Sequence, residues 1–337
     1  MTRDIKTAHY PPRGGLDRAW HCSMFTRAEP SRQSSGATCI TPKLNLDLER
    51  AVRILAAGAA ASAIVVGLGA AAPALADESS APALPPTEYA FGTLASQRLD
   101  LYAQPGLKIA PMLLYVHGGA FTLFDKSDVD ALPGFARRHG FLLASTNYRL
   151  GAGADKAAED VAGAAAWMLR EGRRFGGDPK RLFLMGWSSG GNTVGLVSID
   201  PQYLAPYGRS PADIAGVIGV DGAGYNAASQ IHSLFVILRP PILAMWVVAF
   251  GDHAAALSPT LLVRKGGHYP PFLLFYTNHP GGRSYTEEFA GKLRETGDQV
   301  AVVGAPDRIH ITINSSLGEA RDPYGDRAAR FIATGKP

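Results

Sequence analysis

The sequence predicts an α/β fold with a mostly parallel central sheet and helices on both faces. From Tyr89 onward, short apolar runs with the length of buried strands alternate with longer segments of helical spacing. Several of these runs end in Gly, which is typical of strands that turn sharply into a loop or a helix. Strands that alternate with helices form parallel sheets covered by helices on both faces. The residues of such strands are therefore apolar throughout.

Six strands and two helices are predicted in order. The strands are residues 111–119, 141–150, 181–191, 214–222, 271–278 and 298–306, and the helices are residues 155–172 and 284–297, both ending at Gly. Residues 233–251 are also strongly apolar but are interrupted by Arg239-Pro240-Pro241. We therefore expect two short helices that meet at the prolines rather than a membrane span. This insertion predicts a small helical cap, which serves either as an apolar lid and acyl pocket or as ordinary core packing.

The segment before Asp77 predicts export. Residues 54–76 carry no charge and end in Ala-Leu-Ala, the small-x-small pattern of a signal-peptidase site. The alternative is an uncleaved membrane anchor through the same residues, because the run is long enough to cross a bilayer. The residues upstream are polar and are expected to be disordered, or to precede a true translation start near Val52. The predicted division of the chain is an N-terminal extension at 1–51, a signal peptide at 52–76, a Pro-rich linker at 77–88 and a folded domain at 89–337.

Charge and cysteine content exclude several classes of protein. Residues 1–76 hold nine Lys/Arg and five Asp/Glu, so the rest of the chain, with 24 of each, is formally neutral. It lacks a basic stripe interleaved with aromatic residues, and nucleic acid is not an expected partner. Both cysteines, Cys22 and Cys39, precede the apolar segment, so the exported part would have no disulfide. Neither an H-E-x-x-H motif nor a P-loop is present, and we expect no metal and no other cofactor.

Residues 186–190 read GWSSG and lie between a predicted strand and GNTVGLVSI, which can begin a helix. Strand, turn and helix form the context in which G-x-S-x-G exposes its serine as a nucleophile; elsewhere the same residues form only a Gly-rich turn. Gly186 and Gly190 would leave room for the tight turn. The N–H of Ser189, at the helix start, would point to the place where an oxyanion forms. The pattern therefore predicts Ser188 as a nucleophile.

Other motifs follow one another in a recognisable order. They are HGGAF (117–121), NYRL (147–150), EDVAGAAAWML (159–169), DGAGYN (221–226) and IHITIN (309–314). With GWSSG, they make residues 90–333 resemble the α/β-hydrolases, in particular secreted bacterial esterases related to hormone-sensitive lipase and to feruloyl or acetyl esterases. The resemblance implies the α/β-hydrolase fold and a cofactor-free serine hydrolase acting on small carboxylic esters.

The resemblance also implies roles for other residues. Gly118 and Gly119 would supply the remaining oxyanion donors, because a loop without Cβ atoms can approach the tetrahedral oxygen closely. His310 matches the general base, since it lies late in the chain after the last predicted strand. The other histidines that compete with it by residue type are His117, His253, His268 and His279.

The acid of the triad departs from the pattern. The resemblance places an Asp directly after the strand at 271–278, where this sequence has Asn278. By position we assign the acid role to Asn278. Asp221, at the end of the preceding strand, is the substitute candidate, although its sequence context slightly favours a turn residue before Gly222. Weaker candidates are Asp252 and Asp307.

An Asn at the acid position affects the expected function. It can orient an imidazole, but it has no charge with which to stabilise the imidazolium formed in the transition state. The alternative to an esterase is therefore a catalytically impaired protein of the same fold that binds a ligand. A peptidase is a third option, but no segment marks a peptide-binding domain.

Overall fold

The computed structural model describes residues 85–337, with the side chains at 234 and 235 excepted. The predicted extension at 1–51, the signal peptide at 52–76 and most of the linker lie outside the described residues. The first strand of the described part begins at Thr87, so this strand includes the last two residues of the predicted linker.

Within residues 85–337, eight strands form one mixed sheet, in the order β1-β2-β4-β3-β5-β6-β7-β8. Their bounds are β1 Thr87–Ala90, β2 Arg98–Tyr102, β3 Ala110–Val116, β4 Leu142–Thr146, β5 Gly177–Trp187, β6 Gly216–Val220, β7 Phe272–Tyr276 and β8 Val300–Gly304. All pairs from β4 to β8 are parallel, whereas β1 and β2 add an antiparallel edge. The six predicted strands are confirmed, and they form the parallel part of the sheet.

Ten α-helices are described in residues 85–337. Their bounds are α1 Leu132–His139, α2 Ala154–Glu171, α3 Ser189–Ile199, α4 Ala227–Gln230, α5 Leu234–Ile237, α6 Pro240–Phe250, α7 Pro259–Leu262, α8 Gly282–Glu295, α9 Thr312–Ser315 and α10 Pro323–Thr334. The two helices predicted from spacing correspond to α2 and α8. The predicted break at the prolines is also confirmed, because α5 ends at Ile237 and α6 begins at Pro240.

The sheet separates two hydrophobic clusters, as the uniformly apolar strands require. Strand β3 is buried along its whole length and sends alternate side chains to opposite faces. Leu114 packs in the cluster that contains residues of α2, α3 and α8. Leu113 and Tyr115 pack in the other, with residues of α1 and α10. Helices therefore cover both faces, and the predicted α/β architecture is confirmed.

The parallel register brings the chemically distinctive residues to one edge of the sheet. Val116 at the end of β3 pairs with Gly186 near the end of β5, and Trp187 pairs with Val220 at the end of β6. Val220 in turn pairs with Phe275 of β7. In open α/β sheets, ligands bind outside such carboxyl ends of the strands. The loops that follow β3, β5, β6, β7 and β8 line one cavity there, together with residues of α5 and α6. No helix within residues 85–337 has the length and apolar character needed to span a membrane.

Candidate active site

Ser188 occupies a strained turn between β5 and α3. Its backbone angles are φ 54° and ψ −121°, a left-handed conformation that non-glycine residues rarely adopt. The flanking glycines make this turn possible: a Cβ on Gly186 would lie 2.2 Å from the Gly190 carbonyl oxygen, and one on Gly190 would lie 2.3 Å from the Val116 carbonyl oxygen. The strand, turn and helix expected around GWSSG are therefore present.

A continuous chain of hydrogen-bond contacts runs from Ser188 through His310 to Asp221. The Ser188 Oγ lies 2.9 Å from His310 Nε2, and His310 Nδ1 lies 2.7 Å from Asp221 Oδ2. Asp221 is 1% exposed at the end of β6, and His310 comes from the loop after β8. A carboxylate at Nδ1 holds the proton on that nitrogen and leaves Nε2 free to accept the serine proton.

The assignment of the acid position to Asn278 needs correction. Asn278 is exposed, whereas the ring of His310 is hydrogen-bonded to Asp221. The segment after β7 instead supports the carboxylate of Asp221: Thr277 N–H donates to Oδ1 over 2.8 Å, and Thr277 Oγ1 donates to Oδ2 over 2.6 Å. His279 Nε2 lies 3.2 Å from Oδ1. The end of β7 thus supplies hydrogen-bond donors to an acid that β6 provides.

These contacts keep Asp221 ionised despite its burial. Burial alone would raise the pKa of Asp221, but its close contacts and charge interactions with His279 and His310 hold the pKa well below its usual value. The contacts with Thr277 and His310 satisfy both carboxylate oxygens. Asp221 is therefore an ionised carboxylate that accepts a hydrogen bond from the imidazole of His310. The residue does more than form the turn before Gly222.

The HGG turn after β3 lies directly against Ser188. A Cβ on Gly118 would lie 2.9 Å from the Ser188 Cβ and 2.8 Å from the Trp187 ring, so only glycine fits. Gly119 has φ 96°, and a Cβ there would lie 2.2 Å from the Leu123 carbonyl oxygen. Ser189 begins α3 on the other side of the nucleophile. The three residues predicted as oxyanion donors are therefore brought together around Ser188.

His117 and Tyr148 fix the orientation of this turn. His117 Nδ1 and the Tyr148 hydroxyl each lie 2.9 Å from the Gly118 carbonyl oxygen, and the two rings stack with centroids 4.4 Å apart. Burial lowers the pKa of His117 and raises that of Tyr148, so both are neutral donors here. Because C=O and N–H point in opposite directions across a trans peptide, holding the Gly118 oxygen aims the Gly119 N–H the other way.

The remaining candidates lie away from this arrangement or support it indirectly. Trp187 Nε1 donates to the His310 carbonyl oxygen over 2.9 Å and thereby fixes the loop that carries the imidazole. His253 and His268 are exposed, as is Asp252. Asp307 is exposed and accepts a hydrogen bond from the Tyr324 hydroxyl. Neither Thr277 nor the contact of His279 with Asp221 was predicted from the sequence, and their place directly after an apolar strand was the only available signal.

An apolar cavity of about 250 Å³ opens onto Ser188 and His310. Helix α6 forms much of its wall. Apolar side chains that line it include Phe121, Val236, Ile242, Met245, Trp246 and Phe250. The cap expected from the Pro-interrupted segment is therefore part of the pocket wall, and the cavity is suited to an apolar group.

Three side chains of the site could in principle hold a metal ion. Ligand atoms of Asp221, His279 and His310 all lie within 4.8 Å of one another. However, His310 directs one ring nitrogen to Asp221 and the other to Ser188, which leaves no nitrogen for a metal. The contacts of His310 are those of a hydrogen-bonded network rather than of a metal site.

The same chain is similar to known proteins over most of the described region. A family described as having the alpha/beta hydrolase fold matches residues 113–314, more than half of the chain. Esterase LipI of Mycobacterium tuberculosis is 33% identical over 95 residues, which cover 26% of this chain and 29% of that protein. Esterase LipC of the same organism is 31% identical over 146 residues, 39% of this chain and 35% of that protein. The matches thus span only about a third of the length of these two curated relatives.

Solved structures share the architecture. Esterase 2 of Thermogutta terrifontis, phosphonylated by sarin, has a TM-score of 0.61 at 14% identity, covering 74% of this chain and 94% of that one. The thermostable carboxylesterase EstE1, cloned from a metagenomic library, has a TM-score of 0.58 at 20% identity, covering 71% and 85%. At such identities the likeness concerns the fold. Together with the family match, it shows that the chain belongs to the α/β-hydrolase fold family.

Proposed function

We propose that the protein is a serine-dependent hydrolase of carboxylic esters. The observation that carries this proposal is the chain of contacts from the Ser188 Oγ through His310 to Asp221, with distances of 2.9 Å and 2.7 Å. Nucleophile, base and orienting acid are within hydrogen-bond reach of one another, which is the arrangement that activates a serine. The esterase names of the relatives and structural neighbours support the same reaction class.

The reaction follows from the positions of these groups. His310 Nε2 accepts the proton of Ser188 as its Oγ attacks the ester carbonyl carbon, and Asp221 stabilises the imidazolium that forms. Backbone N–H groups of Gly118, Gly119 and Ser189 stabilise the oxyanion. As the carbon–oxygen bond to the alcohol breaks, His310 returns the proton to the leaving oxygen. Water then attacks the acyl-enzyme with His310 as base and regenerates Ser188.

The cavity supports an apolar acyl or aryl group as the substrate class. It opens onto Ser188, and its volume of about 250 Å³ suits short and medium chains. Trp246 lines the cavity, so Trp246→Ala should raise kcat/KM for the octanoate ester relative to the acetate ester. An unchanged ratio would mean that the acyl chain lies elsewhere.

The first test is hydrolysis of p-nitrophenyl acetate, butyrate and octanoate by the purified protein and by its Ser188→Ala variant. We expect the parent protein to hydrolyse these esters and the Ser188→Ala variant not to hydrolyse them. Equal turnover by both proteins would contradict the proposal. The alternative, an impaired protein that only binds a ligand, depended on Asn278 as the acid; it loses that support because Asp221 contacts His310.

Export is also part of the proposal and rests on the sequence of residues 54–76. Cleavage after Ala76 would give a mature N-terminus at Asp77. Mass spectrometry of the protein recovered outside the cytoplasm checks this expectation. Recovery only in the membrane fraction, with residues 54–76 retained, would favour the anchor instead.

A further inference from the structure

His279 is the second histidine that approaches the carboxylate of Asp221. It follows β7, and its Nε2 lies 3.2 Å from Asp221 Oδ1, while His310 Nδ1 lies 2.7 Å from Oδ2. The two imidazole rings meet edge to face, with centroids 5.5 Å apart. Gly282 makes room for the His279 ring, because a Cβ there would lie 2.8 Å from its Nε2. One buried carboxylate is therefore shared by two histidines from different loops.

The partners of the two rings differ in chemistry. An acceptor lies near each ring nitrogen of His279: the Asp221 carboxylate at Nε2 and the Pro280 carbonyl oxygen 3.2 Å from Nδ1. A neutral imidazole carries one N–H and can direct it to only one of these acceptors, whereas an imidazolium presents an N–H to each and a positive charge to the carboxylate. His310 faces a carboxylate at Nδ1 and the Ser188 hydroxyl, which can donate, at Nε2. A neutral His310 can thus make both hydrogen bonds, as a donor at Nδ1 and as an acceptor at Nε2.

We propose that His279 is a positioning residue, held as an imidazolium against Asp221, that keeps His310 unprotonated and able to act as a base as the pH falls. The inference rests on the proposed ester hydrolysis. The first proton taken up by the pair of histidines resides on His279. A second proton, on His310, then meets a like charge about 5.5 Å away, so activity persists to lower pH than with an uncharged residue at 279.

The surroundings of His279 agree with this assignment. Asp221 faces it from the end of β6 and His310 from the loop after β8, while Tyr285 of α8 lines the same cavity and Arg283 is exposed. Burial alone would lower the pKa of His279, but the carboxylate of Asp221 raises it above the ordinary histidine value. The His279 side chain is 24% exposed, so protons from solvent reach it.

The test compares pH profiles of kcat/KM for the full-length parent, His279→Gln and His279→Lys. Glutamine is uncharged, so the acid limb of the kcat/KM profile should move to higher pH by about 0.5 to 2 units. This is the size expected when a positive charge is removed at the distance that separates the rings of His279 and His310. Lysine restores a permanent cation and should leave the limb at or below its position in the parent. His268→Gln, on an exposed loop, is the matched control and should leave the profile unchanged. Equal profiles for the Gln and Lys variants, shifted or not, would overturn the proposal.

A second measurement does not depend on turnover. Ring ¹⁵N chemical shifts of the full-length Ser188→Ala protein, compared with the Ser188→Ala/His279→Gln protein, identify the signals of His279 by their loss. We expect both nitrogens of that ring to be protonated at pH 6 and to remain so to a higher pH than in free histidine. A neutral His279 ring at pH 6 would overturn the proposal. An imidazolium in a protein that hydrolyses none of the esters would refute the proposed function while leaving the pairing with Asp221 intact.

Discussion

Replacing Asp221 by Asn should remove the charge on which the proposed mechanism depends and also reverse a hydrogen bond. Thr277 N–H donates to Oδ1 over 2.8 Å, so the amide oxygen of an Asn must take that place. The amide NH₂ then occupies the position of Oδ2, 2.7 Å from His310 Nδ1. The Thr277 hydroxyl, 2.6 Å away, can accept from it.

This orientation fixes the wrong tautomer of His310. An NH₂ group facing Nδ1 forces that nitrogen to accept, so the proton moves to Nε2, which then cannot take the proton of Ser188. In serine proteases the corresponding change lowers kcat by about 10⁴, equivalent to about 5.4 kcal/mol of transition-state stabilisation at 1.36 kcal/mol per tenfold. We expect a loss of about the same size here.

The assay is kcat for p-nitrophenyl butyrate, with circular dichroism and thermal melting to establish that the variant is folded. Asn278→Ala is the matched control, since Asn278 is exposed beside the same site. It should remain close to the parent. An Asp221→Asn protein that is folded and keeps a tenth or more of the parent's kcat would refute this reasoning, all the more if Asn278→Ala were the inactive variant.

Three further predictions concern strain, space and charge. Ser188→Gly should abolish turnover yet raise the free energy of unfolding by about 1 kcal/mol, because Ser188 has φ 54°; a less stable variant in urea denaturation would contradict this. Gly190→Ala should lower the free energy of unfolding by about 3 kcal/mol, because its Cβ would lie 2.3 Å from a carbonyl oxygen. Gly291→Ala in α8 meets open space and should raise the free energy of unfolding by up to about 1 kcal/mol. Equal stabilities of the two variants would be inconsistent with the tight turn. His279→Gln should lower the melting temperature more at pH 6 than at pH 9. Because the pKa of His279 is raised in the folded protein, its ion pair with Asp221 contributes fully to stability below the ordinary value of 6.5 and is lost as the pH rises through the folded pKa. A difference in melting temperature that does not depend on pH would contradict the ion pair.

The parallel part of the sheet could be predicted because burial on both faces leaves a direct signal in the sequence. Strand β3 is buried at every position and is correspondingly apolar. Strands β1 and β2 left no such signal: β1 is mostly exposed, and β2 contains charged residues within a run of only five. Their pairing is set by the edge of the sheet that the other strands form, which no local pattern encodes.

The residues of the site also differ in whether the sequence near them carries a signal. The turns that hold Ser188, Gly118 and Gly119 could be predicted because tight turns need glycine at fixed places, and these requirements are local. The acid could not be fixed, because it depends on which strand end faces His310 in three dimensions. Asn278 has the expected position in the sequence but is exposed, and Asp221 reaches the imidazole from the neighbouring strand.

Covalent labelling is the most direct test of Ser188 as the nucleophile. The full-length protein would be incubated with diethyl p-nitrophenyl phosphate, which phosphorylates activated serines, and its peptides mapped by mass spectrometry. We expect one diethylphosphoryl adduct at Ser188, loss of esterase activity in proportion to labelling, and much slower labelling of Asp221→Asn. Full inactivation without an adduct at Ser188, or ester hydrolysis that persists after complete labelling of that serine, would contradict it.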